Sequence, residues 1–317
     1  MKEAGGGILN RDLVFGIVIS SAVFLVAGTI NIFGSIGAML APLPILYYYS
    51  KLGRLHGVII FAASLAVVMI AFRLLHIQTV ALSLLFLGSL GPILSELLRR
   101  NYSIEFTMLS AVGAFLLVGV IVLLYLSVHF SQTPLFLIES YVAGVVDDNI
   151  RMYSQLGGSP DQVGLLTDNA HGITRFLVGI FPAMVLVSTA ILVWLNILLG
   201  KILFQRSGMW YPDFGDLSRW RLPYRYVWSI IVSGGLILLP LGGARILGVN
   251  ILIVILFFYL LQGFSILHFF FNKKRIPIFL RAAGYFLIIA QQFLMLLVVV
   301  LGIIDVWVDF RKLEKKE

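Results

Sequence analysis

Few residues of this 317-residue chain have the type and spacing that chemistry needs. Five histidines, His56, His76, His129, His171 and His268, stand far apart, so none forms the i, i+4 pair that puts two imidazoles of one helix face on a metal. Asp147-Asp148 is the one adjacent acidic pair. It is followed by Asn149-Ile150-Arg151 and not by a third acid, so it reads as the solvated face of a helix before it reads as a metal site. Without cysteine there is no thiolate nucleophile, disulfide, iron–sulfur cluster or Cys-based zinc site. Walker, HExxH and GxSxG signatures are absent. A membrane enzyme would need ionisable groups gathered at one depth, and few occur within the apolar runs. The expectation is a protein that is not an enzyme, with no catalytic residues, no metal ligands and no cofactor.

Polar side chains inside apolar runs are more informative, because each costs free energy in hydrocarbon and must face protein or water. Asn196, Gln262, His268 and the pair Gln291-Gln292 stand in this position. Two roles are open to Asn196, Gln262, Gln291 and Gln292: contact with a bound ligand, or helix–helix hydrogen bonds worth ~0.6–2 kcal/mol each. The second is favoured. Gln262 lies ten residues before Asn272 and Gln291 ten after Arg281. At ~1.5 Å per residue both fall near mid-bilayer and are expected to face each other across a hairpin. Small-residue steps at Gly34/Gly37 and Gly88/Gly91 suggest close helix packing. A different cluster runs from Trp210 to Trp228 and interleaves Arg219, Trp220, Arg221 and Trp228 with Tyr and Pro. At a membrane interface such a segment sets rings at headgroup depth and cations on anionic lipid. Docking of a cytoplasmic protein partner is the sharper alternative.

The elements that must carry these residues follow from composition. Hydrophobic residues make up 60% of the chain and charged ones 12%, against roughly 45–50% and about 25% in a soluble domain. That excludes a soluble enzyme, a disordered chain and a small disulfide scaffold. The fold class is all-α: a polytopic helical membrane protein. Apolar runs near or above ~18 residues give nine candidate spans, about 13–30, 33–50, 56–72, 78–98, 106–128, 173–204, 226–241, 249–271 and 282–304. The second contains Pro42 and Pro44, and the seventh contains Gly234-Gly235 and ends near Pro240. Either could be broken or re-entrant. The first run has no small-x-small cleavage site near its end and is read as a retained span.

The formal charge of +8 is a topogenic signal here and not a nucleic-acid footprint. With the N-terminus cytoplasmic, 15 of the 23 Lys and Arg fall on the inner side. The tail residues Arg311, Lys312, Lys315 and Lys316 then fall outside, against the positive-inside rule, so eight spans remain an alternative to nine. Residues 129–172 carry five acids, Glu139, Asp147, Asp148, Asp161 and Asp168, against the single Arg151, which suits the outer face. Within them Val142, Val146, Ile150 and Tyr153 recur at helical spacing, so 135–156 reads as an amphipathic helix. Gly157-Gly158 stops it, and Ser159-Pro160-Asp161-Gln162 forms a capping box for a second short helix. The organisation expected is a six-helix bundle over 1–204 that includes the outer segment 129–172, a basic aromatic inner loop over 205–225, and a three-helix extension with a polar tail over 226–317.

Several segments together resemble the YybS-like family of bacterial inner-membrane proteins: Phe181-Pro182-Ala183, Phe214…Arg219-Trp220-Arg221-Leu222-Pro223…Val227-Trp228, Tyr259…Gln262-Gly263, and Leu301-Gly302-Ile303-Ile304-Asp305…Asp309-Phe310-Arg311-Lys312. The first six spans are also similar to the substrate-binding S components of energy-coupling-factor vitamin transporters, through Pro42…Gly53 and Gly57. The resemblances imply an inner-membrane location and no established activity. The function expected first is binding or passage of a small molecule by the N-terminal bundle in the lipid bilayer, and the alternative is a membrane scaffold that docks cytoplasmic or envelope protein partners through the inner loop. Nucleic acid is not expected.

Single cysteines at positions 154, 218 and 272 test the topology in this Cys-free chain. In intact spheroplasts an impermeant maleimide is expected to label Ser154→Cys and to spare Ser218→Cys and Asn272→Cys. The reverse pattern would invert the orientation.

Overall fold

The computed structural model describes residues 3–28, 32–75 and 81–312. His76, the expected start of a span at Gln78, and Lys315 and Lys316 of the tail lie outside them. Among the described residues the elements are all helical, thirteen α-helices and two short 3-10 turns, with no strand. The chain divides into two compact units, one of Met1–Leu137 and Ser188–Asp213, the other of Ile138–Val187 and Phe214–Glu317.

The first unit holds α1 (Glu3–Ala27), α2 (Ile32–Leu40), α3 (Pro42–Leu52), α4 (Arg54–Leu74), α5 (Ala81–Arg99) and α6 (Ile104–Phe130), with the later part of α9 (Ala170–Arg206). Proline at its first position starts α3. The chain reverses into α4 at the single residue Gly53, whose φ of 88° only glycine adopts without strain. Gly57 then lies directly under the Tyr49 ring, where a Cβ would collide with it. Gly91 lets α5 reach the Ile45 side chain and the Pro42 carbonyl of α3, and Gly37 lets α2 reach the Ala27 backbone of α1. Both small-residue steps therefore do pack helices closely. Phe24, Ile45, Ile60, Phe72 and Leu84 fill the core between α1, α3, α4 and α5. Ser103 caps α6, accepting a hydrogen bond from the Phe106 N–H at 3.3 Å.

The second unit holds most of α7 (Pro134–Gln155), α8 (Pro160–Asp168), the first part of α9, α10 (Val227–Leu238), α11 (Gly242–Lys273), α12 (Ile278–Ala290) and α13 (Gln292–Val308). The amphipathic reading of 135–156 matches α7 within a residue at each end. Val142 and Val146 are buried and Ile150 half-buried, whereas Tyr153 is exposed. Gly157, at φ 89°, ends the helix, and the Ser159 hydroxyl accepts from the Gln162 N–H as the capping box requires.

Among the described residues five helices, α4, α5 from Leu82, α6, α9 and α11, are long and apolar enough to cross a membrane, and α12 with α13 makes a sixth if that pair is one span. The described residues thus hold five or six candidate spans, and they do not confirm the expected count of eight or nine. Expected span seven is α10, whose 12 residues rise only about 18 Å against ~30 Å of hydrocarbon. Expected span nine is broken at Gln291, where the axis bends by 103°. Expected span two is split into α2 and α3 at Ala41.

Inside α9, Pro182 removes one backbone donor and opens the ladder next to it. Asn250 of α11 fills the gap. Its Oδ1 accepts from the Ala183 N–H at 3.0 Å, and its Nδ2 donates to the Gly179 carbonyl at 2.8 Å. One amide thus takes both halves of a broken rung, which lipid could not satisfy. Asn250→Leu is expected to cost about 1–2 kcal/mol in a detergent unfolding titration. In a Pro182→Ala background, where the helix can close its own ladder, the same change is expected to cost clearly less. Equal costs in both backgrounds would mean that Asn250 does not serve the proline break.

Candidate functional site

The basic aromatic loop is not a free loop. Residues 214–226 form a strap laid on α11 and α13, and the site is built from the crossing of those two helices upward. Gly263 and Gly302 sit at the crossing, and a Cβ on either would run into the other helix's backbone, at the Val298 and Tyr259 carbonyls. That approach brings Gln262 of α11 to Asp305 of α13: Gln262 Nε2 donates to Asp305 Oδ2 at 3.0 Å. Asp309, in the left-handed region at φ 43°, ends α13 and turns the chain back. Arg311 therefore returns to Asp305, with Nη2 donating to Oδ2 at 2.8 Å, while Asp305 Oδ1 accepts from the Phe310 N–H at 3.0 Å. Both side chains of this ion pair have zero solvent exposure.

The same groups hold the strap by its backbone. Arg311 Nη1 donates to the Ser218 carbonyl at 2.9 Å, the Trp220 carbonyl at 2.9 Å and the Ser265 hydroxyl at 2.8 Å. Ser265 Oγ lies 2.8 Å from the Leu217 carbonyl and 3.0 Å from that of Trp220, to which it donates. Gln262 Oε1 accepts from the Leu222 N–H at 3.1 Å. Arg221 reaches the other way and donates to the Val306 carbonyl at 3.0 Å. Leu222 and the Trp220 ring close on Ile255, Tyr259 and Val299. At the strap's start Asp216 caps the turn Leu217–Arg219 by accepting from the Ser218 N–H at 3.0 Å. The Ser218 hydrogen bond holds the Asp216 carboxyl below the usual carboxylate range. Outward from this frame point Arg219, Tyr224, Arg225 and Trp228, the last 64% exposed.

The other residues singled out by sequence fall as follows. In the first unit Asn196 is buried, and its Nδ2 donates to the Leu192 carbonyl of its own turn and to the Met39 carbonyl at 3.1 Å, tying α9 to α2. Gln291 and Gln292 are exposed at the bend between α12 and α13. The expected Gln262–Gln291 pairing is not made: equal depth assumed a straight helix, and the extended backbone of Gln291, φ −112° and ψ 108°, turns the chain there. His268 meets the Tyr285 hydroxyl of α12 at 3.1 Å. Asp147 and Asp148 are exposed on α7. Among the described residues no three His, Asp or Glu side chains converge on one point. Sequence reasoning missed Asp305, Arg311 and Ser265. The available signal was an acid, Asp305, closing an uninterrupted apolar run, which charge counting assigns to the tail.

Long apolar helices tied by buried amides and one buried ion pair define a multi-pass helical membrane protein. The chain belongs to the family described as predicted membrane protein (DUF2232), which matches residues 18–306. No curated protein and no solved structure matches it.

Removing one member of a buried ion pair leaves the other charged and unpaired, which costs about 3–5 kcal/mol. Arg311→Met is expected to lose that much and to expose the strap to trypsin at Arg219 and Arg225. Asp305→Leu combined with Arg311→Met removes both charges and is expected to recover part of the loss. Unchanged trypsin resistance in Arg311→Met would show that the strap is held by its apolar contacts alone.

Proposed function

We propose that this is a non-enzymatic protein of the bacterial inner membrane that serves as a docking platform, presenting the strap on the cytoplasmic face to a soluble partner with an acidic surface. The observation that carries the reading is the fully buried Asp305–Arg311 pair under the strap. A lipid anchor has no use for such a device, because fluid headgroups accept Trp, Tyr and Arg in many arrangements. A partner of fixed shape does, since only a preorganised surface spares the ordering cost on binding. The exposed set, Arg219, Tyr224, Arg225 and Trp228, has the aromatic and arginine composition of binding hot spots.

The rival reading takes the YybS-like and S-component resemblances further, to a small molecule bound or passed by the N-terminal bundle. It would draw on Asn196, Gln262, Gln291 and Gln292. Asn196 and Gln262 are engaged in tying helices and strap together, and Gln291 and Gln292 lie at a bend, which is why docking is preferred.

A photo-crosslinking amino acid at position 224 tests the choice in cells. One discrete protein adduct is expected, reduced by Arg225→Glu with Trp228→Ala and lost in Arg311→Met. Adducts to lipid only, or a protein adduct indifferent to those changes, would sink the docking role.

A further inference from the structure

The first unit carries a separate cleft of about 310 Å³ at its basic end, between the last turns of α3, α5 and α9. Ser50 and Ser95 form its floor, hydrogen-bonded to each other at 2.7 Å, with Ser95 fully buried. Lys51 and Arg99 stand on its sides, and Phe204 and Trp210 make an aromatic wall. No carboxylate lines it. The nearest acids are already engaged from outside, Asp12 with Lys51 at 2.8 Å and Glu96 with Arg54 at 2.6 Å. Arg99 donates from Nη2 to the Tyr49 carbonyl at 3.0 Å and lies with Nη1 4.0 Å from Glu96, which Arg54 holds more closely, and its side chain remains 38% exposed. Lys51 likewise gives one of its three N–H groups to Asp12 and is 35% exposed. Both cations are thus positioned by the fold with donors to spare.

We infer that this cleft binds the phosphate of an anionic phospholipid. Two positioned cations and two hydroxyls over a floor without carboxylates suit a phosphodiester. The wall of Phe204 and Trp210, the latter 60% exposed, suits the apolar body attached to it. The volume fits a headgroup. The C-terminal half-charges of α3, α5 and α9 would oppose an anion; the N-termini of α4 at Arg54 and of α6 at Ile104 offset the first two, and the basic side chains at this end outweigh that of α9. The cluster of Arg54, Arg100, Lys201 and Arg206 at the same end leaves the local balance positive. The inference is independent of the docking role, which concerns the other unit.

Native mass spectrometry of the purified full chain, offered phosphatidylglycerol, phosphatidylcholine or inorganic phosphate, reads this directly. Phosphatidylglycerol is expected to be retained in one stoichiometric copy in preference to phosphatidylcholine. Lys51→Gln with Arg99→Gln is expected to lower that affinity about 30-fold. Because that pair also touches the fold, Trp210→Glu, which adds a carboxylate at the exposed mouth, is expected to weaken retention as well without lowering the unfolding temperature. Equal retention of the two lipids, or unchanged retention in Trp210→Glu, would overturn the assignment. Inorganic phosphate stabilising the protein as much as the lipid does would replace the lipid by a soluble phosphate and overturn it too.

Discussion

The Asp305–Arg311 pair constrains the C-terminal part of the molecule more than any other contact. Taking two charges out of water costs several kcal/mol each, and their attraction repays this only when the remaining hydrogen-bonding positions are filled. Here the filling is shared by the strap and α11. The Ser218 and Trp220 carbonyls, the Leu222 N–H, Gln262 and Ser265 complete the shell. Satisfaction is not total, since Arg311 Nε and the Tyr259 hydroxyl are buried without a partner. A half-buried apolar staple would have held a loop at lower cost. An ion pair that needs these five surrounding groups in place holds it in one conformation, because any other arrangement of residues 217–222 strands a charge in an apolar core.

The same rule governs the helices. In hydrocarbon no water replaces a lost backbone partner, so each irregularity recruits a side chain from a neighbour. Pro182 is answered by Asn250, and the turn of the chain near Met39 by Asn196. Glycines act in the complementary way. Gly263 and Gly302 bring two backbones close enough for Gln262 to reach Asp305, so the apolar crossing and the polar shell above it form one unit of specification. A side chain added at Gly302 would part the helices and with them the strap.

What was legible in the sequence was whatever depends on local pattern. Helix α7 and the cap at Ser159 follow from periodicity and a capping box, and the Gly37 and Gly91 contacts follow from small residues at helical spacing. The tying role of Asn196 and Gln262 follows from the cost of an amide in lipid. The partners did not follow. Asp305 and Arg311 lie six residues apart on opposite sides of a left-handed turn, and their charges cancel in any count, so they read as tail. Asn250 sits 67 residues from the proline break it serves, with nothing local to connect them. The bend at Gln291 carries neither Pro nor Gly, which is why a straight span was expected there.

The two amphipathic surfaces of the second unit differ in how tightly they are specified, and that difference bears on what each can face. The pair α7 and α8 exposes Leu156 and Leu165 at 80% and 64% and is held by a short polar contact from Tyr153 to Gln162 across Gly157-Gly158. A loosely tied apolar surface of this kind suits a fluid neighbour such as lipid, which adapts to it. The strap is the opposite case: its backbone is fixed at Leu217, Ser218, Arg219, Trp220 and Leu222 by groups on α11 and the tail or by its own turn, and the Arg221 side chain ties it to α13. Conformational freedom was removed there although a lipid contact would not require it. The strap, and not the hairpin of α7 and α8, is therefore the surface whose shape matters.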